Sequence, residues 1–266
     1  MSSIESHFKN WAHTRITDST TPPLLFVSGA QGIGKSTAMS AISKMYNGQI
    51  AILGIDDFYL TKIERTGLSD KYSPLFITRG PPGTHDIPLL NSKINALQNA
   101  SPDSVTSLPK FSKVIDDRLP EIEFSTFQGR PKAIIVEGWL VGAKPDLNAP
   151  STEPINAIEE QDKSGLWRQF QEQELAGSYA DLWRRSSHFF YLNAPSFETI
   201  LNWRIEQEET TLGIAKGTLP TERRAWVKNF ILYYERITRR MLKGNKINGT
   251  QLYVDAFRKP VDVEAQ

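Results

Sequence analysis

Residues 28–37 read "SGAQGIGKST" and follow directly on the apolar run Leu24-Leu25-Phe26-Val27. Gly29, four intervening residues and then Gly34-Lys35-Ser36 make the pattern GxxxxGK[ST], in the setting it requires: after a strand and opening a helix. Consecutive backbone N–H groups in such a loop form a concave anion site, reinforced by the positive end of the following helix. Gly29, Ala30, Gln31, Gly32, Ile33, Gly34, Lys35, Ser36 and Thr37 are therefore expected to wrap the phosphates of a nucleotide. Lys35 would reach the β- and γ-phosphates, and the Ser36 hydroxyl would ligate Mg²⁺.

Working outward, short β-branched or aromatic runs recur at 24–28, 50–55, 133–136, 188–192 and 251–254. Continuous apolar runs without alternation suit strands buried on both faces, as in a parallel sheet. Stretches of helical period lie between them, at 35–46, 197–209 and 223–242, the last with Trp226, Val227, Phe230, Ile237 and Met241 at helical spacing. The expected architecture is α/β. It is a single P-loop NTPase domain over 1–266, with a central, mainly parallel five-stranded sheet and helices on both faces. Residues 1–22 read as an N-terminal helical segment. The stretch 61–89, rich in Gly, Pro and charge, reads as a functional loop, and 143–164 as a surface insertion.

The chain has 266 residues with 39% hydrophobic and 10% aromatic content, enough for a substantial core, and a formal charge of +1 that calls for neither nucleic acid nor membrane as partner. It has no cysteine, so disulfides, thiolate catalysis and cysteine metal sites are excluded. No stretch approaches the roughly 20 apolar residues of a membrane span, and the first residues lack a signal-peptide core. A cytoplasmic protein is expected, with the nucleus as the alternative. The histidines show no metal-ligand spacing, so Mg²⁺ accompanying ATP is the expected metal.

A loop of this kind serves either a nucleotide switch or a phosphotransferase. The nearest approach to a guanine-reading NKxD is Asn245-Lys246-Ile247-Asn248, which lacks the acid. "AIIVEGW" places Glu137 at the end of an apolar run, where a carboxylate helps hold the metal. "LGIDDFYLT" (53–61) ends another strand with Asp56 and Asp57, on the sheet edge where a γ-phosphate would lie. A carboxylate there can position an acceptor hydroxyl and take its proton. Trp203 and Trp226 read as core, Trp139 as core or pocket wall. The arginine-rich 223–242 helix reads as a solvated face.

P-loop, "DDFY", "RGPPGTHDIPLL" (79–90) and "VEGW" in this order resemble the phosphoribulokinase/uridine kinase/pantothenate kinase superfamily. Within it the chain is most similar to the D-glycerate 3-kinases of plant and fungal type. "RGxxGTHD" and "WRIEQE" (203–208) are more specific than the P-loop, and the likeness runs from about residue 23 to the last strand. The resemblance implies transfer of the ATP γ-phosphate to a hydroxyl of D-glycerate, a small hydroxy acid. It implies Asp57 as acceptor-side base and Arg79, His85, Asp86, Lys113 and Arg118 as acceptor-binding residues. It also implies a helical lid carrying Arg204, with Lys216 a weaker candidate. An arginine fork suits a carboxylate, and a lid cation offsets charge on the moving phosphoryl group. The departure from the family pattern is "LPKFSKVIDDR" (108–118), where Ser112 replaces an expected Asp in a shortened loop on the acceptor side.

Overall fold

The computed structural model describes residues 3–149 and 152–261. Helix α1 (Ile4–Thr17) is N-capped by Ser3. It is followed by β1 (Leu24–Gly29), α2 (Lys35–Met45), β2 (Ile50–Gly54), α3 (Lys62–Lys71) and α4 (Ile87–Gln98). Short strands come next: β3 (Val105–Leu108), β4 (Phe111–Ser112), β5 (Asp117–Arg118) and β6 (Ser125–Gln128). Then come β7 (Ala133–Gly138), α5 (Leu166–Glu174), α6 (Ala180–Trp183), β8 (Phe189–Asn193) and α7 (Phe197–Thr211). The last elements are α8 (Thr221–Ile231), α9 (Glu235–Leu242), β9 (Thr250–Val254) and β10 (Pro260–Val261).

The main sheet has the order β10-β9-β8-β1-β7-β2, and every pairing in it is parallel except β10 on β9. The parallel strands are those expected from the apolar runs. The added β10 is a two-residue edge strand beginning at Pro260. Such a strand has no run to read, and an edge is where proline is tolerated. β1 is central, and each strand's side chains alternate between two cores. Leu24 and Phe26 join Ile134, Val136, Phe189 and Tyr191 beneath α4, α6 and α9. Leu25 and Val27 join Ala133, Ile135, Phe190 and Leu192 beneath α1, α2 and α7. Period-two alternation between apolar faces is why these strands read as unbroken hydrophobic runs. Parallel pairing sends the carboxyl ends of β1, β2, β7, β8 and β9 to one edge, where ligands of open α/β sheets bind.

Several expectations are corrected. The stretch 61–89 is not a loop: it holds α3, started by the Thr61–Glu64 capping box, then a 3-10 turn and the start of α4. The 223–242 stretch is not one helix. A 3-10 turn at Leu232–Tyr234 separates α8 from α9 and turns Tyr234 inward. Its arginines are not a solvated face either, because Arg236 pairs with Glu159, Arg240 with Glu172 and Arg239 with Glu235 and Glu198. Trp203 is core, but Trp226 is 42% exposed and stacks on Phe230 under Arg223.

Within 143–164, Ile158, Glu159 and Asp162 are buried, and Asp162 pairs with Arg168 of α5, so this stretch is pinned to the domain. Residues 150 and 151 of it, and residues 1 and 2 of the N-terminal segment, lie outside the described residues. No helix among the described residues is long and apolar enough to cross a membrane.

Candidate active site

The loop of residues 30–34 joins β1 to α2, so its N–H groups and the α2 N-terminus face the carboxyl edge of the sheet. Gly32 and Gly34 have φ of +75° and +113°. These left-handed values turn successive amides toward one side, at low cost only for glycine. Lys35 folds back over the loop, its Nζ donating to the carbonyls of Gly29 (2.8 Å) and Ala30 (3.2 Å). Ser36 and Thr37 are exposed in the first turn of α2.

Parallel register brings the acids beside the loop. Glu137 of β7 aligns with Val27 of β1 and Gly54 of β2. Burial raises the Glu137 carboxyl above its ordinary range; Lys35 pulls it down, while Asp56 and Asp57 push it up. Asp57 accepts from Lys110 Nζ (2.8 Å) and the Phe111 N–H (3.3 Å). Asp56 accepts from the Tyr59 hydroxyl (2.7 Å) and Lys113 Nζ (3.0 Å). Burial works to raise the Asp56 carboxyl, but Lys113 and the Tyr59 hydrogen bond outweigh it and hold it at about 2.

Ser36 Oγ and Glu137 supply oxygen donors of the kind Mg²⁺ takes, and the crowding of Glu137 with Asp56 and Asp57 is what a cation would relieve. Among the described residues no three His, Cys, Asp or Glu converge as a protein-only metal cage. The donor set therefore fits Mg²⁺ held partly by phosphates and water.

Arg79 lies with its guanidinium 5.6 Å from the Phe111 ring centroid and 5.9 Å from that of Phe230, and Nη1 pairs with Asp116. Asp116, with φ of +56° in the turn between β4 and β5, also pairs with fully buried Arg65 at 3.0 Å. The Arg79 carbonyl accepts the Tyr234 hydroxyl at 3.1 Å. The chain passes so close there that a Cβ on Gly80 would come within 2.1 Å of that hydroxyl. Trp139 packs edge-on against Tyr234 with centroids 4.9 Å apart, so it is both core and wall.

His85 is buried, its ring 4.6 Å from Tyr59 and its Nδ1 2.6 Å from the Tyr179 hydroxyl. Burial lowers the His85 pKa to about 4, against a weaker upward pull from Asp56, so the ring is neutral near pH 7.

Asp86 and Arg118 pair with one another. Asp86 caps α4 through Oδ1, and its Oδ2 accepts from Arg118, which also donates to the Tyr59 carbonyl. Arg204 is held by buried Glu208 at 2.8 Å, and Glu208 also takes Arg223 of α8. Arg204 still acts electrostatically on Tyr234, as do Asp56, Arg79 and Asp116. Lys216 pairs with Glu206 and is 79% exposed in the lid loop, away from this cluster.

Sequence reading missed Asp116, Tyr179, Tyr234 and Arg258. Arg258, past β9, donates from Nε to the Gly32 carbonyl (2.6 Å) and from Nη2 to Glu206 (2.9 Å), tying the phosphate loop to the lid helix. No local pattern marks these residues; only long-range packing brings them to the site. Asp116→Ala should lower stability by about 2–3 kcal/mol. Removing the carboxylate leaves Arg65 buried without its counter-charge, and the partial exposure of Asp116 moderates the loss. Urea unfolding measures this, and a loss below about 0.5 kcal/mol would mean that the backbone carbonyls alone satisfy Arg65.

A glycine loop of the phosphate-binding pattern at the start of α2, with Glu137, Asp56 and Asp57 beside it at the carboxyl edge of a parallel sheet, fits a P-loop phosphotransferase. No family model matches the chain. It is 31% identical over 232 residues to "Uncharacterized kinase mug58" of Schizosaccharomyces pombe, covering 80% of each chain. It is also 28% identical over 138 residues to a chloroplastic D-glycerate 3-kinase of Arabidopsis thaliana, covering 48% of this chain and 30% of that one. A solved D-glycerate 3-kinase from Cryptococcus neoformans var. grubii shares the fold, with a TM-score of 0.80 at 23% identity over 98% of this chain and 99% of that one. The chain belongs to this family of P-loop kinases and is a phosphotransferase.

Proposed function

We propose that this kinase transfers the γ-phosphoryl group of ATP to a hydroxyl of D-glycerate, giving 3-phosphoglycerate. The observation that carries the reading is Arg79, held beside two aromatic rings with a carboxylate, that of Asp116, already on its fork. Nη2 and Nε of Arg79 make no hydrogen bond to the described residues and remain for an acceptor carboxylate. Lys110 and Lys113 add positive charge beside Asp57 and Asp56, which favours an acidic small molecule over a nucleoside.

In this reading Gly29–Thr37 hold the triphosphate, and Lys35 leaves its loop carbonyls for the β- and γ-phosphates. Mg²⁺, where bound, neutralises phosphate charge, with Ser36 and Glu137 as its protein contacts. Asp57 orients the acceptor hydroxyl and takes its proton as the oxygen attacks. Arg204 exchanges Glu208 for the phosphoryl group as the lid closes, and catalysis is mainly positioning and charge stabilisation.

The test is ADP release from MgATP against D-glycerate, L-glycerate, uridine, pantothenate and no acceptor. D-glycerate should drive turnover well above the others, with 3-phosphoglycerate as product. Turnover on uridine or pantothenate instead would assign another acceptor to the same machinery. Tight ATP binding without turnover on any of them would leave a nucleotide binder.

A further inference from the structure

Between α5 and α6 the helix widens into a π-turn at Leu175–Tyr179, with Gly177 at a non-helical φ of −98° and ψ of −105°. Single π-turns inside α-helices often occur at functional sites. This one carries Tyr179, fully buried, to the "GTHD" segment (83–86). The Gly83 N–H donates to the Tyr179 hydroxyl oxygen at 3.1 Å, and the same hydroxyl lies 2.6 Å from His85 Nδ1.

A hydroxyl has one proton to give. The oxygen can accept more than once, but among the described residues the one acceptor in reach of the Tyr179 proton is His85 Nδ1, so the proton is directed there. Burial raises the Tyr179 pKa far above its ordinary range, so the phenol keeps that proton. In neutral imidazole one nitrogen accepts and the other carries hydrogen, and the partner of the first decides which. Nδ1 is thereby the acceptor and Nε2 the N–H donor.

His85 Nε2 is buried and has no hydrogen-bond partner, although the ring as a whole is packed against Tyr59 and Tyr179. An unmet buried donor costs about 1–3 kcal/mol. The charged group acting on His85 is Asp56, which lies beside Asp57.

We propose that Tyr179 is a positioning residue that fixes His85 as its Nε2–H tautomer, so that His85 gives an N–H donor to an oxygen of the bound acceptor. The donor half rests on the acceptor-site reading above; the tautomer half does not. The ligand chemistry is that of a hydrogen-bond acceptor, a hydroxyl or carboxylate oxygen. A group needing a donor from the protein fits there, and one that itself offers only N–H does not.

Long-range ¹H–¹⁵N spectra of the full-length labelled protein test it directly, with His85 assigned by the signal lost in His85→Gln. The wild type should give the Nε2–H pattern from pH 8 to pH 6. Tyr179→Phe should mix or reverse the tautomers and raise the acceptor KM up to about tenfold, the worth of one hydrogen bond, with the ATP KM unchanged. His85→Gln, whose amide nitrogen can stand in for Nε2, should retain more acceptor affinity than His85→Ala.

An Nδ1–H or imidazolium pattern in the wild type at pH 7 overturns the proposal, and this measurement needs no variant to fold. An unchanged tautomer and acceptor KM in Tyr179→Phe overturns the role of Tyr179. An Nε2–H wild type that phosphorylates no tested acceptor overturns the donor half together with the acceptor reading, and leaves the Tyr179–His85 lock standing.

Discussion

Asp57→Asn should reduce phosphoryl transfer by roughly 10²–10⁴-fold, the usual worth of a positioned general base, with MgATP affinity nearly unchanged. The amide keeps the shape and one acceptor oxygen for the Phe111 N–H, but it cannot take a proton. The lost Lys110 pair is a small structural matter, since Lys110 is 46% exposed and such pairs contribute about 0–1 kcal/mol. Asp56 does not replace it: its oxygens are engaged by Tyr59 and Lys113, and it is held at about 2, where it has little affinity for a proton. Single-turnover transfer alongside equilibrium nucleotide binding separates chemistry from affinity. Full transfer by Asp57→Asn would place the base elsewhere, and equal loss of binding and transfer would make Asp57 a nucleotide ligand.

Gly32→Ala should damage stability and nucleotide binding together. A Cβ at residue 32 would sit 2.8 Å from Trp203 Cβ and 3.0 Å from the Trp203 carbonyl oxygen, at a φ of +75°. The left-handed backbone alone costs an L-residue about 1–2 kcal/mol, and overpacking adds about 1–3 kcal/mol. Trp203 cannot yield easily, being 2% exposed on α7 with its indole N–H bonded to the Ala256 carbonyl at 2.9 Å. Either the loop or α7 must shift, and a shifted loop misaims the amides that hold phosphate. A stability loss of about 2–5 kcal/mol is expected, with MgATP binding weakened more than tenfold. Calorimetry and thermal unfolding, each with and without MgADP, check both. A variant with wild-type nucleotide affinity would show that the loop and α7 are not packed rigidly together.

The same contact explains a limit of sequence reading. Gly29, Gly32 and Gly34 are legible as a phosphate loop from their spacing. Yet Gly32 is required by a tryptophan 171 positions away as much as by a phosphate. Spacing reports what a local loop can do; it says nothing of what packs behind it. Asp86 and Arg118 add another case. The family pattern implies substrate contacts for them, and it does not reveal that they also pair with one another or that Arg118 donates to the Tyr59 carbonyl.

By itself the sequence determined the parallel sheet, the phosphate loop, Glu137 at a strand end and the kinase class, whereas Asp56 and Asp57, expected to end a strand, lie in a 3-10 turn at Ile55–Phe58 beyond β2. These follow from runs and spacings only a few residues long, because strand burial, glycine turns and helix starts are local physics. Only the tertiary structure decided that Asp116 sits on Arg79 and Arg65, that Glu208 takes Arg223 besides its helix neighbour Arg204, that Arg258 braces Gly32, and that Tyr179 meets His85. Each of these joins groups on different elements. Which donor meets which carboxylate there depends on how helices and ribbons pack over the sheet, and no local pattern in the chain encodes that choice.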